Sequence, residues 1–239
     1  MNYNQDNRDH INVARDGRVI YIYSMNHPRV VTQFISCLKD GIRMKYKKFQ
    51  IVFSVKDQVF PCAAVPIEGI LELEREHNIE FEFQGLKSVS NFQIVNPSKY
   101  DDQKCNVLNR VWKFESSSDV CFLVDRIIDS LGKEDKYYKG QLDTIEWSLN
   151  EVMDNVLQHS NANMGYVMTQ IHKSTKVIAI TVFDCGQGIY KSLKNTKHCP
   201  HNASDAITLA IQEAITILNQ FRSMFPMYLL MCLKMQQCQ

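Results

Sequence analysis

Residues 150–159 read Asn-Glu-Val-Met-Asp-Asn-Val-Leu-Gln-His, and 25 residues beyond them stands Asp184-Cys185-Gly186-Gln187-Gly188. The first segment sets a carboxylate, Glu151, and a carboxamide, Asn155, four residues apart. On a helix that spacing is one turn of one face. The second segment follows the apolar run Val177-Ile178-Ala179-Ile180-Thr181-Val182-Phe183 and places an acid and two glycines where a strand ends. An acid there can hold a base by hydrogen bonding, and glycines let the backbone approach a ligand closely. The pair suggests a nucleotide site.

The first segment belongs on an amphipathic helix. At 100° per residue Ile145, Leu149, Val152 and Val156 form one narrow apolar stripe. Glu151 and Asn155 are expected on its flank, between core and open solvent. Taken singly, each segment has a plainer reading. Glu-x-x-x-Asn is often a solvated helix edge, and Asp-x-Gly-x-Gly is often a turn between strands.

Order and context favour the sharper reading. After the helix come a short loop (Ser160 to Met164), a strand over Tyr166–Ile171, a turn around His172 to Thr175, a second strand, and then Asp184-Cys185-Gly186-Gln187-Gly188. This resembles the ATP-binding domain shared by DNA gyrase, Hsp90-type chaperones, histidine kinases and MutL, the GHKL superfamily. Asn150-Glu151-x-x-x-Asn155-x-x-x-His159 looks like its N box and Asp184-x-Gly186-x-Gly188 like its G1 box. The resemblance covers roughly residues 115–213 and is nearest to bacterial anti-sigma-factor-type serine kinases.

The resemblance implies ATP and Mg²⁺ as ligands and assigns roles. Asn155 would hold the Mg²⁺ with its side-chain oxygen, a hard ligand of the kind magnesium requires. Glu151 would act as general base on the attacking water or hydroxyl. Asp184 would accept a hydrogen bond from the adenine amine, with Gly186 and Gly188 leaving room for base and sugar. His159 would face phosphate, or else only end its helix, where the dipole favours an imidazolium.

The pattern breaks later. The family's glycine-rich G2 box, which cradles phosphates, should follow the helix Asp205–Glu213. From Ala214 to Gln239 there is neither a glycine nor an acidic residue. The expectation is an atypical tail, 214–239, from a truncated or frameshifted reading of a longer domain. A divergent helix and a membrane or partner helix are the alternatives. The apolar run Phe225–Leu233 is far short of the ~20 residues that span a bilayer.

The N-terminal half alternates. A strand is expected at Val19–Tyr23, a helix at Pro28–Lys45, a strand at Phe49–Val55, a helix at Val65–Glu76 and a strand at Ile79–Phe83. That alternation favours a parallel or mixed sheet. It looks loosely like a STAS domain, without the Asp-Ser phosphoacceptor pair of such domains, and implies a protein-docking module. The fold class expected is therefore α/β with two domains: a small STAS-like sheet domain, then an incomplete GHKL-type α/β sandwich. The expected boundaries are 11–95 for the first domain, 96–116 for a linker and 117–213 for the second.

Composition bounds the rest. A chain of 239 residues with 45% apolar content accommodates two modest domains. A net charge of +1 provides no field toward nucleic acid or membrane. Lys45, Lys47 and Lys48 read as a solvated helix end. The start Met1-Asn2-Tyr3-Asn4 does not read as a signal peptide. Eight cysteines without Cys-x-x-Cys spacing argue against a disulfide or zinc framework and suit a reduced cytoplasm. His198-Cys199-Pro200-His201 offers three metal-ligand types in four residues but reads more simply as a polar loop. His77 lacks the sequence that follows a sensor kinase's phosphoacceptor. The function expected is an ATP-binding regulatory protein, with ATPase or protein-kinase chemistry in intact relatives. The alternative is a non-catalytic interaction protein with a vestigial site. A regulatory protein is the expected partner, and a homodimer is compatible with either reading.

Overall fold

The computed structural model describes residues 11–56, 58–85, 94–97, 107–134, 139–159, 164–173, 177–194, 196 and 198–220. The chain divides into two compact units, Met1–Gln93 and Ile94–Gln239. Among the described residues it is mixed α/β, with two four-stranded sheets and six helices.

The first unit opens with a hairpin of β1 (Val13–Asp16) and β2 (Val19–Ile22), paired antiparallel. The two-residue loop between them puts Gly17 at φ +56. A left-handed first turn position is the one a II′ hairpin reserves for glycine, and its twist suits paired strands. Helix α1 (Arg29–Arg43) then leads to β3 (Lys48–Phe53), and α2 (Pro61–Glu76) leads to β4 (Glu80–Gln84). Both crossovers join parallel neighbours, so the sheet order follows the chain, β1-β2-β3-β4.

Phe34 and Leu38 of α1, Ile67 and Leu71 of α2, and Ile20, Phe49 and Ile51 of the sheet are buried in the core. Gly41 of α1 faces the Phe49 ring, which would overlap any Cβ there. Helix α2 begins four residues earlier than the sequence reading placed it. Pro61 occupies its first turn, where the absent N–H has no intrahelical acceptor to lose.

The second unit contains β5 (Ile94–Val95), β6 (Val111–Phe114), α3 (Ser117–Glu134), α4 (Lys139–His159), β7 (Gly165–His172), β8 (Val177–Phe183), α5 (Gly188–Lys194) and α6 (Ala203–Gln220). Strands β5 and β6 are parallel, and β6-β7-β8 are antiparallel in succession. Helices α3 and α4 contribute Val120, Leu123, Val124, Ile127, Leu149, Met153 and Val156 to one core with Trp112, Phe114 and Val167. At the start of α3, Ser116 accepts from the Asp119 N–H at 3.2 Å and Asp119 accepts from the Glu115 N–H at 3.0 Å. Together these bonds cap the start of the helix.

Two boundaries need correction. The segment 96–116 is not a linker throughout: Val107 and Leu108 are core residues and Val111–Phe114 is strand β6. Trp112 anchors it, its indole N–H donating to the Val107 carbonyl at 2.8 Å. Ile94 and Val95, assigned to the first domain, pair with β6 in the second sheet. The change expected at residue 214 is not a break in the backbone, since α6 runs on to Gln220. Residues 221–239, with most of the expected tail, lie outside the described residues. No described helix is long and apolar enough to cross a membrane.

Candidate nucleotide site

Helix α4 carries Glu151 and Asn155. Both are exposed. The flank position expected of them is corrected by the packing. Met153 is fully buried and Leu142 packs against the same core, so the apolar stripe is broader than the sequence reading took it to be. Adding these two residues turns its centre away from Glu151, which falls on the solvent side. Trp147 stands one turn before Glu151 at the same i, i+4 spacing and is 42% exposed. The sequence reading did not single it out, although that spacing was the available signal. His159 is the last residue of α4, and its side chain is outside the described set.

Asp184 follows the last residue of β8 and is half-buried. Its Oδ1 accepts the Gly186 backbone N–H at 2.7 Å. A carboxylate bonded to the backbone two residues on closes a small side-chain turn, which fixes the orientation of the acid. Gly188 takes φ +70 and begins α5. A side chain in that conformation would be strained, so the glycine here answers a backbone need.

Topology brings the two segments to one end of the unit. The connection from His159 to the first residue of β7, Gly165, is five residues, Ser160–Met164. Its reach is at most about 20 Å. Tyr166, next along β7, is the register partner of Phe183, the residue before Asp184. The C-terminal end of α4, one turn beyond Asn155, therefore leads into the same end of the β7–β8 ladder as the turn at Asp184. Helix and strand also share a core, since Ile178, Ile180 and Val182 of β8 pack against the cluster that holds Leu149, Met153 and Val156.

Chemically, this end offers the Asn155 carboxamide oxygen and the Asp184 carboxylate, with Glu151 on the solvent side of α4. Asn155 supplies a hard oxygen suited to Mg²⁺, with water and phosphate completing an octahedron. The acceptors at Asp184 suit an exocyclic amine. Among the described residues no three His, Cys, Asp or Glu side chains converge as a metal-binding group. At the loop His198–His201, the His201 N–H donates to Asp205 Oδ2 at 2.8 Å, so this acid serves the start of α6. An open hollow of about 580 Å³ lies in the first unit, lined by Lys48, Arg75, Asn78, Ile79, Glu80, Phe81 and Glu82. Lys48 pairs with Glu82 at 2.8 Å on its wall.

No protein-family model, no curated protein and no solved structure matches this chain.

Proposed function

We propose that this chain is a nucleotide-binding regulatory protein of the GHKL type, with a docking module at its N-terminus. The observation that carries the reading is the placement of Asn155 and Asp184 at one end of a shared helix–sheet core, on a helix and at a strand end. In this reading Asp184 accepts from the adenine amine, and the Gly186 N–H holds its carboxylate in place. Gly186 and Gly188 keep the approach to base and sugar clear. Asn155 is the protein ligand of Mg²⁺, and Glu151, one turn away, is the base that would orient water or an acceptor hydroxyl. His159, the last residue of the same helix, would be the group nearest the phosphates in this reading. Bound Mg²⁺ would neutralise phosphate charge and bridge it to the protein.

A second reading is favoured by one observation. The sequence has no glycine after Gly188, so nothing in it builds a glycine-rich loop of backbone N–H groups for the terminal phosphates. Binding without turnover then becomes the function, with partner docking as the output.

Magnesium dependence tests the assignment of Asn155. Titration of the full chain with ATP, with and without Mg²⁺, should show tighter binding with the ion. Asn155→Ala should lose that gain while its metal-free affinity stays unchanged. Equal Mg²⁺ dependence in both proteins contradicts the role of Asn155.

A further inference from the structure

Among the described residues the two sheets have four edges, and three of them are guarded. On β1, the backbone N–H groups of Asn12 and Val13 donate to the Gln33 side-chain oxygen at 3.1 and 3.2 Å. On β4, Glu80 and Glu82 are charged, and Lys48 pairs with Glu82. β5 is two residues long. Side-chain plugs, charges and shortness are the usual means of keeping a sheet edge from pairing with another chain.

The fourth edge has none of these. β8 is seven residues, Val-Ile-Ala-Ile-Thr-Val-Phe, with no charge, proline or glycine. It bonds to β7 along one side, and along the other it makes no backbone hydrogen bond among the described residues. Val177 at its start is 46% exposed.

We infer that β8 is a self-association edge, which pairs antiparallel with β8 of a second copy of this chain about a two-fold axis at Ile180. The strand is complementary to itself in that register. Ile180 meets Ile180 of the second copy, Ile178 meets Val182, Ala179 meets Thr181, and Val177 meets Phe183. Ile178, Ile180 and Val182 all point to the core face. The pairing therefore joins core face to core face, and a shift of one residue would set core side chains against the opposite face. Eight strands then form one continuous sheet, and the open edge disappears.

Sedimentation equilibrium of the full chain across the micromolar range tests this. The unmodified chain should dimerise with increasing concentration. In the double variant Ala179→Lys with Thr181→Lys, lysines face lysines at two symmetric positions, and dimerisation should weaken by about tenfold or more. The double variant Ala179→Glu with Thr181→Glu should weaken in the same way. An equimolar mixture of the two should recover a dimer holding one copy of each, because each lysine then faces a glutamate. Thermal melting establishes that each variant is folded. A monomeric unmodified chain, or a lysine variant that dimerises as well as the original, overturns the proposal. So does a mixture that stays monomeric although both variants melt cooperatively.

Discussion

Asp184 accepts the backbone N–H of Gly186 through Oδ1 at 2.7 Å, immediately after strand β8 ends. The bond closes a small side-chain turn and holds a carboxylate in a set orientation at a strand terminus. Whether that carboxylate also meets a base is what nucleotide titration decides.

Hydrolysis separates the two readings of the site. With no glycine-rich loop to hold the terminal phosphate, ATP turnover should stay at background and Glu151→Ala should leave it unchanged. Phosphate release measured under saturating Mg–ATP is the check. Robust hydrolysis that Glu151→Ala abolishes contradicts the binding-without-turnover reading.

A second expectation concerns pH. Glu68 of α2 is 5% exposed, and burial pushes its carboxyl up to about 7, with Arg75 lowering it and Glu72 adding to the rise. Below its ordinary value of 4.5 the group is protonated both folded and unfolded, and there is no penalty. As pH rises from there through about 7, the unfolded chain releases the proton first and stability falls. The full loss is about 3 kcal/mol. Glu68→Gln should therefore be more stable than the original by up to that amount near pH 8, and nearly equal to it near pH 4. Urea melts at the two pH values measure this. A difference that does not change with pH contradicts the assignment.

Thr169 of β7 is 1% exposed, and its hydroxyl has no hydrogen-bond partner among the described residues. It lies on the same strand face as Val167 and Ile171, two residues to either side. Valine has nearly the same shape and no polar atom to desolvate. Thr169→Val should stabilise the chain by about 1 kcal/mol or more. A clear loss of stability in thermal or urea melts would show that the hydroxyl has a partner in solution.

Gly165 is the register partner of Phe114, whose ring occupies the space a Cβ would take. Gly165→Ala should cost about 1–3 kcal/mol, the usual cost of forcing extra volume into a packed site. An unchanged melting temperature would mean that the ring moves aside freely.

Long elements with strong periodicity were the legible ones. The apolar run at 177–183 is strand β8 to the residue, and the helix over Glu151 and Asn155 is α4. The hairpin at the N-terminus was written in Asp16-Gly17, but β1 has only four residues and two of them are charged, so its alternation is too short to stand out. β6 was hidden by the polar segment before it, although Trp112 marked it as a residue in need of burial and an acceptor. The orientation of Glu151 does not follow from the narrow stripe, because Met153, flexible and easily placed on either side of a stripe, belongs to the core. The open edge of β8 could not be read at all. Sheet order depends on which strands pair across distance, and no local pattern carries it.

Base discrimination tests the central claim most directly. Calorimetric titration of the full chain with Mg–ATP and Mg–GTP should give measurable ATP binding and weaker GTP binding. Asp184→Asn should weaken ATP binding by about 1–3 kcal/mol, the cost of mismatching a hydrogen-bond partner, and narrow the gap between the two nucleotides. Equal affinities for ATP and GTP, an Asp184→Asn chain that binds ATP as well as the original, or no binding of either nucleotide would contradict the account.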